Sequence, residues 1–160
     1  MKKNLNLTLL SILSLLLVSV FLAYVIEYGL GHKPCKLCLY QRYPYFISIF
    51  LILNVVIIKK YIKISFLILS LVSLTGSIIA FYHFGIEQGF FSETLVCEAK
   101  NLDQNLSKED ILKQLGKNTI SCKTVTFRVL GLSLASINTI FSFVLFVIFL
   151  RLFRNYENNK

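Results

Sequence analysis

Four long apolar runs constrain this chain more than anything else in it. Leu5 to Ile26, Ile64 to Tyr82 and Val129 to Leu150 contain no charged residue. Tyr43 to Ile58 is shorter, and extends back to Leu39 if Arg42 sits near an interface. A hydrocarbon core about 30 Å thick needs roughly 20 apolar residues in a helix. Lipid offers no partner for backbone N–H and C=O groups, so each span must satisfy its own. The expected fold is an all-α membrane protein, a bundle of four transmembrane helices at about 5–26, 39–58, 64–82 and 129–150. A mean hydropathy of +0.69 agrees with that. Met1-Lys2-Lys3 before the first run also resembles the start of a signal peptide. That run is longer than an h-region, however, and ends in Tyr24-Val25-Ile26-Glu27-Tyr28 rather than a small-residue cleavage site. It reads as an anchor.

Four spans put both termini and the Lys59–Lys63 loop on one side. The Gly29–Lys36 loop and the long segment from His83 to Arg128 fall on the other. Lys2, Lys3, Lys59, Lys60, Lys63, Arg151 and Arg154 crowd the first side in short stretches. On the second side the bases are spread among acids. The positive-inside rule favours cytoplasmic termini, and the cysteines support the same choice. All four lie on the second side, and disulfides persist in oxidising compartments. The net charge of +9 is divided between two membrane faces. It fits topology and anionic lipid and gives no reason to expect nucleic acid.

The chain reads as one domain, 1–160, with no separate soluble unit. Its one large polar segment contains Ser107-x-x-Asp110, a capping-box pattern. Ile111, Leu112 and Leu115 follow on one face and Gly116 can close the helix. A short surface helix is expected there. Ser73, Gly76, Ser77 and Ala80 in the third span, and Gly131, Ala135 and Thr139 in the fourth, are small enough for close helix approach. Tyr24, Glu27 and Tyr28 have the character of an interfacial belt.

The cysteines fall two and two, Cys35 and Cys38 in one polar gap, Cys97 and Cys122 in the other. The C-x-x-C spacing brings two sulfurs together across about one helical turn and accompanies lowered thiol pKa values. Pro34 suits a helix start, where the dipole favours a thiolate. Arg42 follows Cys38 by four residues, on the same face if the helix is continuous. Pro44 opposes continuity, so the helix kinks or restarts near Tyr43. A c-type haem site needs His after the second cysteine, and position 39 is Leu. A zinc site needs four ligands at workable spacing, and 24 residues (98 to 121) separate the second pair. Redox catalysis and two structural disulfides both stay open on spacing alone. Arg42 either snorkels to the interface or holds an anionic or carbonyl-bearing partner. His83, with Glu87 one turn later, is either an ordinary interfacial histidine or a proton carrier near neutral pH.

The segment Gly31-His32-Lys33-Pro34-Cys35-Lys36-Leu37-Cys38-Leu39-Tyr40-Gln41-Arg42 resembles the signature of the DsbB family, the membrane disulfide-bond formation proteins. Tyr82-His83-Phe84-Gly85-Ile86-Glu87-Gln88-Gly89 is similar to that family's segment after its third helix. The four-span plan and the order of the cysteine pairs match as well. Vitamin K epoxide reductase-like proteins carry their C-x-x-C after the loop pair, the reverse of the order here. The resemblance implies a bacterial inner-membrane oxidoreductase with its cysteines in the periplasm. Its implied partner is a reduced DsbA-like thioredoxin-fold oxidase, and its implied acceptor is a ubiquinone or menaquinone. It implies that Cys97 takes the mixed disulfide with the partner and that Cys122 attacks Cys35. Cys38 then becomes the thiolate facing the quinone, with Arg42 and His83 beside it. Some members carry Glu before the arginine. Here that residue is Gln41, which weakens any proposal of a carboxylate proton donor at this position.

Overall fold

The structure, a computed structural model, describes residues 2–92, 122–123, 127–129 and 131–158. Helix α1 spans Lys2–Tyr24 and continues as one π-helical turn, Val25–Gly29. There the Leu30 N–H reaches back five residues to the Val25 carbonyl at 3.1 Å. A short helix α2, Lys36–Tyr40, precedes α3, Arg42–Ile57. Helix α4 runs over Ile62–Glu87. A two-stranded hairpin, β1 at Arg128–Val129 and β2 at Leu132–Ser133, leads into α5 at Leu134–Asn158. Among the described residues, four segments are long and apolar enough to cross a membrane: Leu5–Gly29, Lys36–Ile57, Ile62–Glu87 and Leu134–Tyr156. The four-span architecture is as expected. The surface helix expected from Ser107 to Gly116 lies outside the described residues.

Two boundaries differ from expectation, each for a local reason, and the helix restart expected near Tyr43 is present. The third span does not end at Tyr82 but continues to Glu87. It closes there because Gly89, at φ +79, takes the left-handed turn that lets Phe90 N–H bond the Gly85 carbonyl and Gly89 N–H bond that of Ile86. The fourth span begins at Leu134 rather than Val129. Ser133 caps it by accepting from Ser136 N–H at 3.2 Å, and Gly131, at φ +84, sits in the hairpin turn. Gly131 therefore does not share a helix face with Ala135 and Thr139. The second span is two helices that meet at Gln41, so Pro44 falls in the first turn of α3, where a missing N–H costs nothing.

The bundle is sealed by apolar layers at one end and by small residues towards the other. Leu9, Ile12, Leu16, Ile52, Phe66, Leu69 and Phe149 are buried against one another. Ser73, Gly76, Ser77 and Ala80 bury on α4 and Ala135 on α5. Among the described elements, these two helices make the most extensive contact. Gly76 has a particular task. A Cβ there would stand 3.2 Å from Pro44 Cβ, so its absence lets the start of α3 nest against α4. Outward faces carry Phe21, Phe50, Ile78, Phe81 and Phe143, all well exposed. Apolar surface on that scale suits lipid and not water.

Candidate functional site

The site forms at the end of the bundle where α1, α2 and α4 meet. Cys35 is the N-cap of α2, and its sulfur accepts from the Cys38 N–H at 3.3 Å. Pro34 thus lies one residue outside the helix rather than in its first turn. The turn from Cys35 brings Cys38 Sγ to 2.8 Å from Cys35 Sγ, and both cysteines are free thiols. Cys35 is buried and Cys38 half-buried. From α4, His83 points its Nε2 at Cys35 Sγ, 3.5 Å away. Glu87, one turn on, sets its Oε1 3.6 Å from the same nitrogen.

Cys122 joins this cluster from the far loop. It is almost wholly buried, at 1% exposure, and it is engaged in a disulfide. Its sulfur, that of Cys35 and a ring nitrogen of His83 all lie within 4.8 Å of one another. Residues separated in sequence by two spans and a long loop thus share one buried contact. The triad also has the spacing of a partial metal site. A sulfur bound in a disulfide is not a thiolate ligand, however, and the arrangement is better matched to thiol–disulfide exchange. Cys97 lies outside the described residues.

The electrostatics single out Cys35. The hydrogen bond from Cys38 is the largest influence and holds the Cys35 thiol well below its ordinary 9.0, at about 5. Burial works against this, and the hydrogen bond and charge of His83 add to it. The dithiol state therefore keeps its negative charge on Cys35, with Cys38 as its donor. The resemblance assigns the reactive thiolate to Cys38. The two assignments belong to different redox states, because Cys38 is left as the thiolate only when Cys35 is itself bridged.

Arg42 does not stand free. Its Nη1 is 2.6 Å from Glu27 Oε2, and its guanidinium lies over the Tyr24 ring, 4.9 Å from the centroid. Tyr28 stacks on Tyr24 at 6.0 Å. Residues expected to be an interfacial belt are thus the cradle of the arginine. The pattern of a carboxylate near a span end opposite an arginine near the next was the signal that could have paired them.

Sequence reasoning also passed over the surroundings of His83. Gln41, buried in the break between α2 and α3, places Nε2 2.9 Å from His83 Nδ1. Its Oε1 is 2.6 Å from Asn138 Nδ2 on α5. Asn138 Oδ1 in turn accepts from the Tyr45 hydroxyl and, at 3.2 Å, from Ser142 Oγ. The amide at position 138, half-buried within an uncharged span, was the available clue, since amides taken out of water must find partners.

The model of the family described as "Disulfide bond formation protein DsbB" matches residues 4–152, nearly the whole chain. An uncharacterized protein of Rickettsia prowazekii (strain Madrid E) is 30% identical over 161 residues, covering 99% of this chain and 91% of that protein.

Proposed function

The chain belongs to the DsbB family of disulfide bond formation proteins, and from that premise we propose that it reoxidises a soluble DsbA-like thiol oxidase and delivers the two electrons to a membrane quinone. The observation that carries this reading is the approach of Cys122 Sγ to within 4.8 Å of Cys35 Sγ. Without it, the two cysteine pairs would have no path between them.

The steps are thiolate attacks through mixed disulfides. A partner thiolate attacks Cys97 of a Cys97–Cys122 disulfide, and Cys122 leaves as a thiolate. The second partner thiolate closes the partner's own disulfide and releases Cys97. Cys122 attacks Cys35 of a Cys35–Cys38 disulfide, and Cys38 leaves. Cys97 then attacks Cys122, which restores the loop disulfide and frees Cys35. Two electrons now reside in the Cys35/Cys38 dithiol. Free Cys35 and Cys38 beside a bridged Cys122 are the state expected at this stage.

A quinone supplies a lipid-soluble acceptor for two electrons and two protons. The surroundings of Cys38 fit such a group. Leu39, Tyr40 and Tyr43 expose apolar surface beside it, and Arg42 is held nearby by Glu27 with further N–H donors to offer. Glu87, whose Oε1 is 3.6 Å from His83 Nε2, stands where a proton leaving the dithiol can be received. On this reading the cysteine end of the bundle faces the periplasm across a bacterial inner membrane. The end carrying Lys59, Lys60, Lys63, Arg151 and Arg154 faces the cytoplasm.

The test is thiol trapping of the purified protein mixed with a reduced DsbA-like protein, with and without added quinone. Catalytic oxidation of the partner only when quinone is present is the expected result. Cysteines that stay as they were beside a partner that stays reduced would instead mark a tetraspan protein with static bridges.

A further inference from the structure

The amide chain behind His83 has a direction, and the direction carries information. An amide side chain has one accepting end and one donating end. Asn138 Oδ1 already accepts from Tyr45 and Ser142, so its Nδ2 is the end turned to Gln41 Oε1. Gln41 must then present Nε2 to His83 Nδ1, which is 2.9 Å away. A donor facing Nδ1 requires a bare lone pair there, so the imidazole proton sits on Nε2. That nitrogen faces two acceptors, Cys35 Sγ at 3.5 Å and Glu87 Oε1 at 3.6 Å. For a neutral ring, reversing the chain would leave the Nε2 lone pair bare and facing a thiolate and a carboxylate. Both ends of the network therefore ask for the same tautomer.

We infer that Gln41 and Asn138 are positioning residues that fix His83 as its Nε2–H tautomer, aiming that proton at Cys35. Neither touches a cysteine sulfur. They act through the ring, as the partner of a metal-bound or catalytic histidine does when it occupies the second nitrogen. Tyr45 and Ser142 anchor the far end, so the setting of one imidazole draws on α3, α4 and α5 together. The consequence is directional. Cys35 receives a hydrogen bond in the dithiol state, when its sulfur is charged, and loses the need for it when bridged. The chemical use of this proton rests on the relay proposed above, but the tautomer itself does not.

The experiment is nitrogen NMR of the full chain in detergent micelles under reducing conditions at neutral pH, with labelled histidine. The chain has two histidines, and His32→Gln assigns the spectrum. The expected wild-type spectrum has a bare, pyridine-type Nδ1 and a protonated Nε2 for His83. Asn138→Asp removes the Nδ2 donor facing Gln41 and should reverse the amide, so that Nδ1 gains the proton and shifts to the pyrrole-type position. Gln41→Glu keeps the shape and presents an acceptor directly, and should protonate Nδ1 as well, with or without loss of the proton on Nε2. A wild-type Nδ1–H would overturn the inference. So would a bare Nδ1 that persists in both variants. Neither result depends on a partner or a quinone, so a failure here leaves the relay to be judged by its own test.

Discussion

At the scale of single residues, the site is organised around which sulfur holds the charge. Cys35 is brought to about 5 chiefly by the hydrogen bond from Cys38. A thiol whose folded value is depressed contributes stability that is fully present above its unfolded value of about 9 and is lost as pH falls through about 5. The reduced protein should therefore gain thermal stability as pH rises across that window, relative to Cys35→Ser. Ultraviolet thiolate absorbance should titrate with a midpoint near 5 in the wild type, and Cys38→Ala should raise it. A midpoint near the ordinary thiol value in the wild type would mean that Cys38 is not the donor. Arg42 makes a second case. It is paired to Glu27 and covered by Tyr24, so its removal has two consequences to separate. If it binds an acceptor carbonyl, Arg42→Ala should raise the quinone KM by at least about tenfold, the worth of one charge-assisted hydrogen bond. Exchange between the partner and the loop disulfide should be unchanged. An equal loss in both steps would assign Arg42 a structural role instead.

At the scale of elements, helix ends and close approaches do most of the positioning. The Gly89 turn ends α4 just beyond Glu87, and Gly85 leaves room for Phe91 to fold back. A Cβ at Gly85 would collide with the Phe91 ring, which stacks on Tyr82. Gly89→Ala forces a side chain into a left-handed conformation and should cost about 1–2 kcal/mol, read as a lower Tm in micelles with exchange chemistry retained. Gly76→Leu is expected to be worse. It drives side-chain atoms into Pro44 and Ser142, an overpacking that costs about 1–3 kcal/mol, and it displaces the start of α3 that carries Gln41 and Arg42. Activity should fall together with Tm in this variant, and an unchanged Tm would show that α3 does not nest on Gly76. Hydropathy made the spans legible because lipid leaves few alternatives for an apolar run. The exact ends were not legible. Val129 to Ser133 is as uncharged as the first turns of α5, and only the Gly131 turn and the Ser133 cap separate hairpin from helix.

At the scale of the whole molecule, the chain gathers its redox chemistry at one end of the bundle. Lys63 lies over the Phe153 ring at 5.5 Å, which ties the start of α4 to the end of α5, while Cys35, Cys38, His83 and Cys122 gather at the other end. The C-x-x-C pair and the two polar gaps could be read directly from the chain. That Cys122 meets Cys35 was implied by the family resemblance and not by spacing, because contact between loops depends on helix register. No spacing in the chain announced the Gln41–Asn138 contact, which joins residues 97 positions apart. The contact between loops yields the most direct structural prediction. With Cys38→Ser and Cys97→Ser combined, each remaining cysteine loses its usual partner. Cys35 and Cys122 then need to close only from within 4.8 Å to bonding distance, about 2 Å. Mild oxidation should link them, and mass spectrometry of the digested, unreduced protein should find the peptide containing Cys35 joined to that containing Cys122. Two alkylatable thiols after oxidation would mean that the sulfurs do not reach each other. Electrons could not then pass from the loop to the helix by direct exchange.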